Sequence, residues 1–240
     1  QKEVISKSIE AVGKEQVETL RATNELAVTL QYLNEFERAQ ELHEETLRIQ
    51  RGVLGDEHPD TLMSMLNLAY LHESRGRLAE AEELYGNTLR LQQHTLGDDH
   101  PATLNCMNNL ALLYASQGRY EESAKLFEDT IERQLRVLGE GHPHRLTSIA
   151  NLADTYASLG RDEEAEQNYL SALVLQRRIG GEDNASTLAM QNNFALFYYN
   201  RERYDQALAL QQATLASQQG VFGEKHLHTT ISMINLARTL

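Results

Sequence analysis

The chain has 240 residues, 41% of them hydrophobic and 6% aromatic, with no Trp and a single Cys. A formal charge of −13 excludes nucleic acid and an anionic membrane surface as expected partners, since both require Lys and Arg to neutralise phosphates. No apolar run approaches the ~20 residues of a membrane span, and one cysteine, Cys106, permits no internal disulfide, which points to a reducing, cytoplasmic setting.

The dominant signal is a period. Gly55-Asp56-Glu57-His58-Pro59, Gly97-Asp98-Asp99-His100-Pro101, Gly139-Glu140-Gly141-His142-Pro143, Gly181-Glu182-Asp183-Asn184-Ala185 and Gly223-Glu224-Lys225-His226-Leu227 follow one another at intervals of 42 residues, without insertion. A weaker copy, Gly13-Lys14-Glu15-Gln16-Val17, stands one period earlier. A fixed period in this range marks stacked supersecondary units rather than one central core.

In chain order, residues 4–12 align with 46–54 and read as the end of a second helix, here called helix B. Helix A and helix B are then expected over 16–32 and 35–53, 59–74 and 77–95, 101–116 and 119–137, 143–158 and 161–179, and 185–199 and 203–221. Residues 229–240 read as a sixth helix A. The units are 13–54, 55–96, 97–138, 139–180 and 181–222, with a partial unit over 223–240. The expectation is a single array over 1–240 that belongs to a longer protein. Ile231, Ile234, Leu236 and Leu240 leave the last helix without the polar outer face of a cap.

The unit at 97–138 shows why two helices are expected. Leu104, Met107, Leu110, Ala111 and Tyr114 recur at helical spacing. Pro101 suits the first turn, where a missing N–H leaves nothing unsatisfied. Gln117-Gly118-Arg119 stops the helix, and the next stripe is Tyr120, Ala124, Phe127, Ile131 and Leu138, with Glu121, Glu122, Lys125, Glu128 and Glu132 on the opposite face. One such hairpin cannot bury its stripes alone. The fold class is therefore all-α, a solenoid of antiparallel helix hairpins.

The positions within each unit resemble the tetratricopeptide repeat. A small residue stands in helix A at Ala27, Ala69, Ala111, Ala153, Ala195 and Ala237. A turn glycine stands at Gly76, Gly118 and Gly160, with Asn34 and Glu202 as departures. Helix B carries Ala39, Ala81, Ala165 and Ala207, with Ser123 as the exception, and a bulky residue at Tyr85, Phe127 and Tyr169, where His43 and Gln211 depart. The longer unit, with Leu-Gly-Asp-x-His-Pro before helix A and Asn108-Asn109-Leu110-Ala111 within it, is similar to kinesin light chains; Asn192-Asn193-Phe194-Ala195 nearly repeats it. The resemblance implies a right-handed superhelix and a protein–protein interaction scaffold without catalysis or cofactor. The heptad segment by which light chains join their motor has no counterpart in these 240 residues.

A binding face is expected on helix A, opposite its packing stripe. Stepping through the units gives Arg21, Asn24, Val28 and Gln31; Met63, Leu66, Tyr70 and Glu73; Asn105, Asn108, Leu112 and Ala115; Thr147, Ala150, Asp154 and Ala157; then Ala189, Asn192, Leu196 and Tyr199. Apolar groups rimmed by amides and few charges suit a peptide or helix ligand. The candidate site is thus Asn24, Met63, Leu66, Tyr70, Asn105, Asn108, Leu112, Asp154, Asn192, Leu196 and Tyr199. A second series, Asn67, Asn109, Asn151, Asn193 and Asn235, with Glu25 in the first unit, has two readings: amides that grip a partner's extended backbone, or amides that tie each hairpin to the next loop. Its recurrence in every unit favours the tie.

No nucleophile–base pair, phosphate loop or metal motif appears, so no catalytic or metal residue is expected. His58, His100, His142 and His226 read as solvated loop punctuation, one per unit, and His142 with His144 or His226 with His228 lack further ligands. Cys106 reads as a packed, inert thiol. The alternative function is a sensor or substrate-recruiting arm for a kinase or nucleotide-switch domain elsewhere in a longer protein. End-to-end self-association is a further expectation, because residues 4–12 and the helix at 229–240 would both expose apolar faces.

Overall fold

The computed structural model describes residues 14–240; the helix end expected at 4–12 lies outside the described residues. Eleven α-helices follow one another among the described residues. They are α1 (Lys14–Tyr32), α2 (Phe36–Leu54), α3 (Pro59–Ser74), α4 (Leu78–Leu96), α5 (Pro101–Ser116), α6 (Tyr120–Leu138), α7 (Pro143–Ser158), α8 (Asp162–Gly180), α9 (Ala185–Asn200), α10 (Tyr204–Phe222) and α11 (Leu227–Thr239). Odd-numbered helices are the helix A of each unit and even-numbered ones its helix B. From α3 to α10 the lengths alternate strictly, 16 residues and then 19.

The turn within each hairpin is chemically fixed. Gly76, Gly118 and Gly160 take φ of 73°, 76° and 75°, and the two departures keep the same left-handed backbone, with φ of 61° at Asn34 and 58° at Glu202. Each turn closes with a hydrogen bond from the residue that opens helix B, as from Arg119 N to Tyr114 O at 2.9 Å. Those donors are Glu35, Arg77, Arg119, Arg161 and Arg203, and this six-residue closure satisfies carbonyls that a helix end would orphan. The arginines do a second thing here: the Arg119 and Arg161 guanidiniums each lie 4.1 Å over the ring of Tyr114 and Tyr156.

Entry into helix A corrects the expectation for the loop histidines. His58, His100, His142 and His226 are exposed or half-buried, as a solvated loop implies, but they are also helix caps. Each Nδ1 accepts the backbone N–H two residues on, from Asp60, Ala102, His144 and His228, at 3.2, 3.1, 3.3 and 3.3 Å. Asn184 does the same through its amide oxygen, at 2.9 Å from Ser186 N. A neutral imidazole can accept only through an unprotonated nitrogen, so the cap assigns the proton to Nε2. One of the orphan N–H groups at a helix start is thereby satisfied.

The chain forms two compact units, Gln1–Leu113 and Tyr114–Leu240. In the first, α1 packs on α2, α2 on α3 and α3 on α4, with α1 also touching α3. Ala27, Ala39, Ala69, Ala81 and Ala111 are fully buried, which lets helix backbones approach closely around Leu62, Met65, Leu71 and Tyr85. Cys106 is buried as expected; its Sγ sits 3.5 Å from Tyr85 O, and burial pushes its pKa up to about 12. In the second unit the helices from α6 to α11 pack in succession, and α9 touches α7 and α11. Ala153, Ala165, Ala195 and Ala207 play the same part there, and Phe194 stacks on Tyr169 at 5.1 Å and meets Tyr198 at 4.4 Å. Ala237, by contrast, is exposed on α11, as are Ile231 and Ile234.

Hairpins within a unit are also pinned by ion pairs. Arg203 holds Glu166 through two nitrogens at 2.7 and 2.8 Å, and Arg201 holds Asp162 at 2.7 Å. In the first unit Arg75 reaches back to Glu37 and Gln40 at 2.9 and 2.8 Å. The Arg203 guanidinium and the Tyr198 hydroxyl hold the Glu166 carboxyl below its ordinary value.

Candidate binding face

Helix A has one face without a neighbouring helix, and the structure shifts its register from the expected one. In α3 the outward residues are Met63, Asn67, Tyr70 and Ser74; Leu66 is only 7% exposed and belongs to the core. Asn24 is likewise buried, its Oδ1 2.7 Å from Nδ1 of His43. Asn108 and Asn192 are half-buried, the latter accepting from the Ser232 hydroxyl at 3.0 Å. The correction has a simple geometric cause. Residues at i+3 and i+4 lie on either side of a helix stripe, and here the i+3 member turns under toward the next helix. Leu66 is therefore a core residue, and Asn24 reaches the surface only as the wall of a cavity described below.

The remaining candidates do lie outward. Met63 and Tyr70 are more than half exposed, and Asn105, Leu112, Asp154 and Leu196 are exposed. Tyr199 is half-buried, packed edge-on against Tyr204 at 5.7 Å with the Arg238 guanidinium 5.3 Å over its ring. In the first unit Met63 and Tyr70 share the exposed side of α3 and Asn105 and Leu112 that of α5; in the second, Asp154 and Leu196 line one hollow.

The second asparagine series occupies this same face. Asn67, Asn109, Asn151 and Asn235 are half-exposed and Asn193 is exposed. No side-chain amide of the five hydrogen-bonds to another described residue, so the expected tie between hairpins is absent. These amides carry donors and acceptors turned outward and unspent.

Two hollows indent the face, one in each unit. Between α7 and α9 a cavity of about 280 Å³ is lined by Asp154, Ser158, Asn193, Leu196, Asn200 and the Arg201 side chain. Asp154 accepts from the Tyr169 hydroxyl; desolvation nonetheless raises its carboxyl above the ordinary range. Burial and that carboxylate together raise the Tyr169 hydroxyl. Between α1 and α3 a cavity of about 340 Å³ is walled by Val28 and Met63, with Asn24, Gln50, Asp60 and Asn67 around it and Arg21 and Glu25 at its edge. Gln50 belongs to a ladder that sequence reasoning missed: Gln50, Gln92, Gln134, Gln176 and Gln218 recur every 42 residues, all buried. The spacing alone could have revealed them.

Among the described residues no group of three or more His, Cys, Asp or Glu is placed to hold a metal ion, and no helix is long and apolar enough to cross a membrane.

A stack of helix hairpins with a buried alanine on each helix and a left-handed turn between them is a helical-repeat interaction protein. The chain belongs to the tetratricopeptide repeat family, whose model matches residues 18–86, 64–136, 107–178 and 186–240. Among solved structures it is similar to a protein of Podosopora anserina assigned as a kinesin light chain with nearly identical TPR-like repeats. That likeness runs at 30% identity and a TM-score of 0.75, covering 87% of this chain and 98% of the other. BtubC (BKLC) of P. vanneervenii is similar at 24% identity and a TM-score of 0.65, covering 94% of this chain and 82% of the other. The apo quorum sensor NprR of B. thuringiensis is similar at 15% identity and a TM-score of 0.70, covering 98% of this chain and 62% of the other. The last two likenesses show the fold alone. No curated protein matches the chain.

Proposed function

We propose that this repeat array is a non-catalytic scaffold that holds an extended peptide segment along the outward face of its A helices. The observation that carries the reading is the set of unpartnered amides at Asn67, Asn109, Asn151, Asn193 and Asn235. A peptide backbone presents N–H and C=O groups that need partners wherever water is excluded. An asparagine amide offers both a donor and an acceptor, so it serves that backbone whatever its sequence. Exposed Met63, Tyr70, Leu112 and Leu196 supply apolar contact between the amides. A helical ligand fits less well, because its backbone groups are already spent internally.

Display of random 12-residue peptides against the whole chain tests this. Binders are expected whose affinity falls about tenfold or more in the double variant N151A/N193A, as the loss of two hydrogen bonds of ~1 kcal/mol each implies. The melting temperature should hold within a few degrees, since these amides support no described neighbour. Binders indifferent to both changes would place the ligand elsewhere.

A further inference from the structure

We propose that the cavity between α1 and α3 is a receptor for a basic side chain, lysine or arginine, carried by the bound segment. The proposal rests on the reading of the A-helix face given above and names one contact within it.

Two of the residues that line the cavity hold acceptors with nothing to accept. Gln50 is 1% exposed, and its Oε1 has no hydrogen-bond partner. Asp60 uses Oδ1 for Arg21 Nε at 2.9 Å, while Oδ2 is buried and unpartnered. The nearest polar nitrogen, His58 Nδ1, is 3.7 Å from Oδ2 and is itself accepting the Asp60 N–H. Two residues lining one cavity thus each bring a buried acceptor without a partner, and an unmet buried polar group is costly.

The charge around the cavity selects a cationic donor. Asp60 and Glu25 carry two negative charges against the one positive charge of Arg21, whose guanidinium is already committed to Oδ1. The chain as a whole carries −13. Val28 and Met63 form apolar walls suited to the methylene stem of a long basic residue, whose head then reaches Gln50 and Asp60. A neutral water would fill the deficit without using the charge or the walls.

The cavity is particular to this place in the chain. The buried glutamine recurs every 42 residues from Gln50 on, yet Ala102, His144, Ser186 and His228 stand where Asp60 stands here, and Glu18, the other acid at that position, follows Ser8 rather than a glutamine. Glu25 likewise occupies the position that is asparagine in the five later units. A basic contact is therefore made once, at the α1–α3 step, and sets the register of a segment that Asn67 and Asn109 of the same compact unit hold without sequence preference.

The test uses the peptides bound by the whole chain in the display experiment. A lysine or arginine should be enriched at one position. Replacing it with norleucine, which keeps the stem and drops the cation, should weaken binding about tenfold or more on the wild-type chain, as expected for a charge-assisted hydrogen bond. On D60N the same replacement should change binding less than about twofold, and on Q50M, which keeps the carboxylate but removes the amide acceptor, the loss should shrink severalfold. Q50M leaves the Arg21–Asp60 pair intact, so it decides the matter should D60N fold poorly. An equal loss on wild type and both variants, or no basic enrichment among the binders, overturns this inference and leaves the amide reading standing. Binders unaffected by N151A/N193A overturn that reading, and the inference falls with it.

Discussion

The two compact units share a backbone plan and differ in what they put on it. In the first, the outward face is apolar and aromatic at Met63 and Tyr70, and two residues lining its cavity hold idle acceptors. In the second, the position of Tyr70 is taken by Asp154, and Ser158 and Asn200 make the hollow polar, while the aromatic mass lies underneath at Tyr169, Phe194, Phe197 and Tyr198. One buried hydroxyl shows how freely the face varies over a fixed frame. Tyr85 finds Glu73 at 3.2 Å, while Tyr169 finds Asp154, a carboxylate placed nearly one turn earlier on its helix. Alanines, turn residues and caps are constrained by backbone geometry; the outward residues answer only to what they meet. A repeat can therefore change partner chemistry from unit to unit without changing fold.

The largest expected effect lies in the second unit's aromatic mass. Phe194→Ala should destabilise by about 3–5 kcal/mol, because it opens a cavity and strips the contacts to Tyr169 and Tyr198. Its counterpart three repeats earlier, Leu68→Ala, should cost about 2–4 kcal/mol, having no ring contacts to lose. Urea titrations of the two variants check the order; a reversed order would mean the aromatic stack adds nothing.

The next contrast is with pH. Burial lowers the His43 pKa from 6.5 to about 4, and burial first, then Arg77, lowers that of His72; both residues belong to the first unit. Between pH 6.5 and about 4 the unfolded chain binds protons that the folded chain refuses, so stability falls as pH falls. The slope is at most ~1.4 kcal/mol per pH unit for each histidine. Glu73 and Asp154 are raised by desolvation and act in the opposite sense, one in each unit, so they leave the contrast in place. Hydrogen exchange at pH 7 and pH 5, corrected for intrinsic rates, should show protection lost preferentially in α1–α4. Equal loss in α7–α10 would contradict this.

The smallest effect concerns the caps, where the units should agree. His100→Ala and Asn184→Ala each remove one acceptor at a helix start and should each cost about 1 kcal/mol. That is well below the roughly 2–5 kcal/mol expected for Leu110→Ala in the core. A cost near zero for His100→Ala would return the loop histidines to the role of solvated punctuation.

Much of this frame was legible in the sequence, for identifiable reasons. The starts of α3, α5 and α7 were readable to the residue because a proline inside the first turn leaves no choice. Helix B starts one residue later than expected each time, since Arg77, Arg119, Arg161 and Arg203 cap without any side-chain signature. The outward side of helix A was readable as a helix face but not in register, because periodicity alone does not choose between Leu66 and Asn67. The role of the asparagines was unreadable on principle: a sequence shows that an amide recurs, not whether its hydrogen bonds are already spent. The 42-residue spacing could have picked out Gln50, whereas Asp60, which does not recur, becomes conspicuous only once its unpartnered oxygen is seen.

The central claim is that the outward asparagines bind a peptide backbone. Side-chain amide signals of Asn67, Asn109, Asn151, Asn193 and Asn235, followed by NMR as a display-selected peptide is added, test it most directly. The account predicts that these Nδ2 resonances shift and saturate, Asn67 with Asn109 in the first compact unit and Asn151 with Asn193 and Asn235 in the second, while amides on the B helices stay in place. Saturable binding that leaves all five unmoved would contradict it.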